Sequence, residues 1–182
     1  MSDVANGRPQ EGEYHPQHGV YVALAPERRA MEALEAQLAD QDRLLAGLTE
    51  DQAALRYAPG KWSVRQVLAH VADAEQVFAY RALCIARGDT TPLPRFDENA
   101  YAELAPAEHV PLGALIERLR AVRGASFALF RPLDDAAWLR RGTASGQPVS
   151  VRGLAYVIAG HGRHHAAILR ERYGLRGTRT AV

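Results

Sequence analysis

Two histidines one helical turn apart, His161 and His165, interrupt the apolar stripe of the segment 151–173, within the run Gly160-His161-Gly162-Arg163-His164-His165. Leu154, Ile158, His161, His165 and Ile168 step by four, three, four and three, so both histidines lie on the side of a helix that must face a core. Such a helix needs neighbours that cover its apolar positions and also occupy the ring nitrogens. Two neutral imidazoles would each require a separate buried partner, and two charged ones would repel. Positions i and i+4 differ by about 40° around the axis and about 6 Å along it, which lets both rings reach one ion at roughly 2 Å. His164 stands at i+3 from His161 and is an alternative second ligand. His165 is preferred because it continues the stripe, which leaves His164 at its edge as a pocket-lining candidate.

The rest of the chain supplies the neighbours. Residues 26–48 are dense in helix formers, with Met31, Leu34, Leu38, Leu45 and Leu48 on one side. Thr49 with Gln52 forms a capping box that opens a short piece ending near Arg56, and Pro59-Gly60 breaks it. Ser63 with Gln66 repeats the device and opens a second long helix through Val64, Val67, Leu68, Val71 and Phe78 to Gly88. Pro92, Pro94, Pro106 and Pro111 then mark a long crossover, with one short helical piece around 97–104. A third helix runs from Leu112 to Phe130 and stops before Pro132, and a short turn of helix covers 133–139. Residues 142–148 read as a polar loop, Ser150 caps the last helix and Gly174 ends it. No strand ladder is expected. The pattern predicts an all-α, four-helix bundle with a long crossover connection over residues 23–182, preceded by a tail or arm, residues 1–22, laid on the surface. His15 and His18 fall in that arm and are expected to be solvated, with no chemistry placed there.

Composition removes several classes of function. The 182 residues, 47% hydrophobic and 24% charged, suit one ordinary core, and no apolar run is long enough for a bilayer. A net charge of +1 gives no basic field, so neither a nucleic-acid nor a membrane partner is expected. The start has no basic segment followed by an apolar one, and the single cysteine, Cys84, can make no internal disulfide. A cytoplasmic location is the expectation.

In the second long helix, Val67, Ala74 and Val77 put His70 on an inward face, so a third imidazole can join the pair. Three neutral imidazoles with no protein carboxylate leave a divalent ion an open position, the pattern of a catalytic rather than a closed structural site. Arg81, eleven residues on, projects in nearly the same direction. It reads either as an ion-paired or snorkelling arginine or as an anion clamp at the pocket mouth. Asp73 shares the face of His70 and could orient a ligand or move protons, although a solvated or interhelical salt bridge is the default for it and for Glu75. Phe96 and Tyr101 fit packing under the crossover, Trp62 and Trp138 fit the core, and His109 fits the surface.

Two stretches carry a family resemblance: Lys61-Trp62-Ser63-Val64-Arg65-Gln66-Val67-Leu68-Ala69-His70-Val71-Ala72-Asp73-Ala74-Glu75 and Gly160-His161-Gly162-Arg163-His164-His165-Ala166-Ala167-Ile168-Leu169. In their order and spacing the chain resembles the DinB-like, or YfiT-like, superfamily of metal-dependent hydrolases over about residues 25–175. The resemblance implies a four-helix bundle with a long crossover and a divalent metal ion, often nickel or zinc, held by His70, His161 and His165. It also implies a homodimer. Family members include transferases and isomerases that use the small thiols mycothiol or bacillithiol. The resulting expectation is a metal-dependent hydrolase or thiol S-transferase, in which the three-histidine site activates water or a low-molecular-weight thiol cosubstrate against a small-molecule electrophile. The alternative is a non-catalytic, metal-dependent binding or stress-response protein. The arm before the first long helix lies outside the family pattern.

Overall fold

The computed structural model describes residues 5–177, and the helices opened by Thr49, Ser63 and Ser150 begin where those capping residues place them. In chain order the elements are α1 (Gly19–Ala23), α2 (Ala30–Leu45), α3 (Glu50–Ala54), α4 (Val64–Ala86), α5 (Glu98–Leu104), α6 (Leu112–Phe130), α7 (Asp135–Leu139), β1 (Arg141–Ala144), β2 (Gln147–Ser150) and α8 (Val151–Arg172). Both capping boxes form: the Thr49 and Ser63 hydroxyls accept from the amides of Gln52 and Gln66, whose side chains return to the cap amides. Ser150 Oγ accepts from the Gly153 amide and opens α8. Gly174, with φ of 68°, ends that helix in the left-handed conformation that glycine adopts without a Cβ clash.

The four long helices close a ring. Helix α8 packs on α4 and α2, and α6 packs on the same two from the other side. Much of the interior is small, with Ala30, Ala33, Ala74, Ala82, Ala155 and Ala159 fully buried, so the helices approach closely around larger side chains such as Leu34, Phe130 and Trp138. One polar knot ties three of them. Glu75 of α4 accepts from Arg123 of α6 at 2.7 and 3.0 Å and from Ser126 at 2.7 Å, while Arg123 donates to the Leu34 carbonyl of α2 at 2.7 Å. All three side chains are buried, so each charge is matched inside the bundle. No helix among the described residues is long and apolar enough to cross a membrane.

Three expectations need correction. Residues 142–148 are not a loop: β1 and β2 form an antiparallel hairpin, Arg141 opposite Ser150 and Ala144 opposite Gln147. Its two central residues, Ser145 and Gly146, both have positive φ, 54° and 76°, as a two-residue type I′ turn demands. Helix α2 starts at Ala30 rather than near Pro26 because the preceding residues pair with the arm: the Ala30 amide donates to the Asn6 carbonyl, and Gly7 bridges Arg29.

The third correction concerns the arm, whose described residues, 5–22, are packed against the bundle rather than laid loosely on its surface. Ala5, Asn6, Glu13 and Val22 are buried. Arg8 donates to the carbonyls of Ala25 and Val22 at 2.6 and 2.9 Å. Glu13 receives Arg152 of α8 at 2.7 Å, and its carbonyl accepts the Ser150 amide. The arm lies against α8 because two glycines seven residues apart expose the helix backbone to it. A Cβ on Gly153 would strike the Glu13 carbonyl, and one on Gly160 the Tyr21 carbonyl.

Candidate metal centre

Helices α4 and α8 bring the three predicted imidazoles together. His70 Nε2 lies 3.1 Å from His161 Nε2, and His165 Nε2 lies 3.1 Å from the same atom. All three donor nitrogens fall within 4.8 Å of one another. Hydrogen bonding cannot satisfy this cluster. A neutral ring nitrogen either donates one hydrogen or offers one lone pair, so His161 Nε2 can serve at most one of its two neighbours. Nitrogens bound to one ion at about 2.0–2.1 Å, in tetrahedral or octahedral arrangement, stand about 2.9–3.4 Å apart. The two separations from His161 have that spacing and the third donor lies within 4.8 Å, so the residues fit a divalent ion.

Burial prepares the rings for that role. It pushes the His165 imidazole down to about 3, with His70 and His164 adding to the shift. His161 lies well below the usual histidine range through burial and then the repulsion of His165 and His70. His70 is lowered by burial, with Glu98 and Asp73 pulling the other way. At neutral pH all three are uncharged, so each has a lone pair to give. Among the described residues His165 Nδ1 is buried with no hydrogen-bond partner, so the ring's polar contact is through Nε2 to the cluster.

A cavity of about 380 Å³ opens over the three rings. Trp62 covers one side, its ring 4.9 Å from that of His70. Phe78 packs edge-on at 6.0 Å from His161. Tyr21, from the arm, meets His161 edge-on at 5.3 Å and His164 at 5.4 Å. Arg81, Phe96, Glu98, Asn99 and Ser145 extend the walls toward the crossover and the hairpin.

The other predicted site residues divide. His164 is half-buried and lines the cavity, its ring 5.1 Å from that of His165. Arg81 lines it too and is 5% exposed. Asp73 is not a pocket residue: it faces α6 and pairs with Arg118. Trp62 is half-buried, packed against the edge of the core with its ring over His70, and Phe96 lines the cavity while packing on Tyr101 at 4.8 Å.

The solvated reading of His15 and His18 fails. Both are half-buried cavity residues, and His18 stacks on Tyr21 at 5.7 Å and meets Phe78 edge-on at 5.6 Å. Burial lowers the His18 imidazole to about 4, with His15 and Arg81 adding to the effect. Tyr21 is the wall residue that sequence reasoning missed. The available signal was the Gly153 and Gly160 pair, which marks where another backbone must lie against α8.

The comparisons agree with this architecture. In Bacillus subtilis, "Putative metal-dependent hydrolase YfiT" is 24% identical over 163 residues, 88% of this chain and 90% of that protein. A relative from Geobacillus kaustophilus, also named for metal-dependent hydrolysis, is 30% identical over 137 residues, 71% of this chain and 76% of the relative. The solved structure of B. subtilis YfiT, described as an unusual four-helix bundle topology, matches with a TM-score of 0.70 at 22% identity, across 94% of this chain and 99% of that one. The family model of the DinB superfamily matches residues 33–169. That span takes in nearly all of the four long helices, and with them His70, His161 and His165, so the chain belongs to the DinB superfamily.

Proposed function

We propose that this protein is a metal-dependent enzyme, a hydrolase or a thiol S-transferase acting on a small electrophile. A divalent ion, nickel or zinc, held by His70, His161 and His165 would supply Lewis acidity and make a bound water or small thiol nucleophilic near neutral pH. The observation that carries this reading is the convergence of three uncharged imidazoles at the floor of an open cavity, with His70 and His165 each 3.1 Å from His161 and all three donor nitrogens within 4.8 Å. Among the described residues the cluster holds three histidines and no carboxylate or thiolate, which supports a site that leaves room for substrate. A non-catalytic role would be better served by a fourth protein ligand closing the sphere.

The chain's own residues have definable tasks. Tyr21, Trp62 and Phe78 screen the three histidines from bulk water and hold their rings in place. His164 borders both cavity and cluster, and burial keeps its imidazole below the usual range, so at neutral pH one ring nitrogen is free to take a proton. Relatives named as metal-dependent hydrolases support the reaction class.

The test uses untagged protein purified without added metal. Elemental analysis should find about one divalent ion per chain. A panel of esters, amides, epoxides and thiol acceptors, each with and without a low-molecular-weight thiol, should reveal an activity that His161→Ala reduces to background. Activity that survives His161→Ala, or protein with no bound metal, overturns the proposal.

A further inference from the structure

Among the described residues three arginines are buried, and only two of them meet a carboxylate. Arg123 is matched by Glu75 and Arg152 by Glu13. Among the described residues no acidic side chain lies within ion-pair distance of Arg81, so the ion-paired reading of its sequence position finds no partner there, and at 5% exposure the snorkelling reading fails. Its Nη2 donates to the Pro94 carbonyl at 2.7 Å and to Ser145 Oγ at 3.1 Å, while Nε and Nη1 donate to no described residue. Desolvating a guanidinium without an anion is unfavourable, and a fold keeps such a group where a ligand completes it.

The side chain is also held in position. The Leu93 amide donates to the Thr143 carbonyl at 2.9 Å and the Ser145 amide to the Leu93 carbonyl at 3.0 Å, which clamps the crossover to the hairpin. That clamp presents the Pro94 carbonyl and the Ser145 hydroxyl to one edge of the guanidinium and leaves its other donors unengaged. On α4, Arg81 stands three turns beyond His70, about 16 Å of helix rise, and long helical side chains lean back toward the N-terminus. The Phe78 ring links it to the cluster. Phe78 lies 5.8 Å from the Arg81 guanidinium carbon and 6.0 Å from the His161 ring.

We propose that Arg81 is the anion-binding residue of this cavity, and that the molecule it admits is a small carboxylate. The carboxylate would sit on the guanidinium, and the body of the molecule would cross Phe78 toward the three histidines. Charge and shape choose this class. Arg95 and Glu98, both exposed at the rim, offset one another, so this end of the cavity carries one net buried positive charge, which suits a monoanion better than a phosphate dianion. The aromatic faces of Phe78 and Phe96 suit an apolar body a few carbons long. The proposal names the substrate class of the site described above and rests on that reading for the reaction, though not for the binding.

Calorimetric titration of the full chain with 3-phenylpropanoate and with the uncharged 3-phenylpropanamide tests it, on metal-stripped and metal-loaded protein. Metal-stripped wild type should prefer the carboxylate by about tenfold or more. Arg81→Gln should erase that preference while leaving amide binding within about twofold, and Arg81→Lys should keep part of it. The proposal is overturned if wild type binds both alike or does not bind the carboxylate at millimolar concentration. A preference that survives Arg81→Gln, or that needs the metal, also overturns it. Should Arg81→Gln fail to fold, the wild-type comparison and Arg81→Lys still decide. An Arg81-dependent preference in protein that neither holds metal nor turns over any substrate would sink the catalytic reading and leave this one standing.

Discussion

Burial sets the charge of the site histidines before any ligand arrives. His165 at about 3, His18 at about 4, and the lowered His161 and His70 all lie below the value near 6.5 that they regain on unfolding. The unfolded chain therefore takes up protons below about pH 6.5 that the folded chain refuses, so stability is full above that pH and is lost as pH falls toward 3. Glu13, where burial pushes the carboxyl up but the bonds from Arg152 and the Gln10 amide win, and Glu27, held low by Arg163, add acid sensitivity only below their usual 4.5. The interval between pH 6.5 and 4.5 thus reports the histidines. Urea midpoints of metal-free protein should be level from pH 8 to 7 and fall steadily through that interval; a midpoint still level at pH 4.5 would mean the rings are not buried and neutral. The three ring positions were legible in the sequence because helical register alone puts His161 and His165 on one stripe and His70 on an inward face. His18 and Tyr21 were not legible, since residues 1–22 carry no period from which a facing direction can be read.

The elements that could be read were those with local signatures. Ser63 and Ser150 mark the starts of α4 and α8 through side-chain bonds to amides three residues on, so no distant partner was needed to find them. The hairpin was hidden because its strands are four residues long, one contains Pro148, and its turn uses Ser145-Gly146 instead of the commoner Asn-Gly. The docking of the arm was hidden for a different reason, being written into α8 as glycines that look like weak helix. Substitution separates the two meanings of a helical glycine. Gly124 of α6 has open space where an alanine methyl would stand, so Gly124→Ala should stabilise by up to about 1 kcal/mol through helix propensity. At Gly160 the same methyl meets the Tyr21 backbone, which Arg8 and the ties from Glu27 and Leu24 to Arg163 hold in place. Gly160→Ala should therefore destabilise by about 1–3 kcal/mol despite the better propensity. Urea denaturation of both variants checks this, and equal gains would mean that the arm does not rest on α8.

At the scale of the whole molecule, the candidate centre joins two helices that come from opposite sides of the long crossover. His70 on α4 and the pair on α8 are 91 residues apart in sequence, and the crossover and hairpin between them build one wall of the cavity. An ion bound there would link α4 directly to α8, the helix that also touches α1, α2 and α7. The bundle could be predicted because four long amphipathic helices admit few other arrangements, whereas its cavity depends on contacts between segments that share no local pattern. A ligand that binds only the folded state stabilises it in proportion to its saturation, by about 2.7 kcal/mol at a free concentration one hundred times its dissociation constant. For a chain of this length each kcal/mol moves the melting temperature by about 2–4 °C. Chelation should therefore lower the melting temperature by about 5–10 °C relative to protein held at that saturation. In His161→Ala the chelator should change nothing, because the ring whose Nε2 meets both others is gone. Differential scanning calorimetry of both proteins, with and without chelator, measures the difference. A wild-type melting temperature indifferent to chelation, or an equal fall in His161→Ala, would locate the stabilising ion elsewhere and remove the link between α4 and α8.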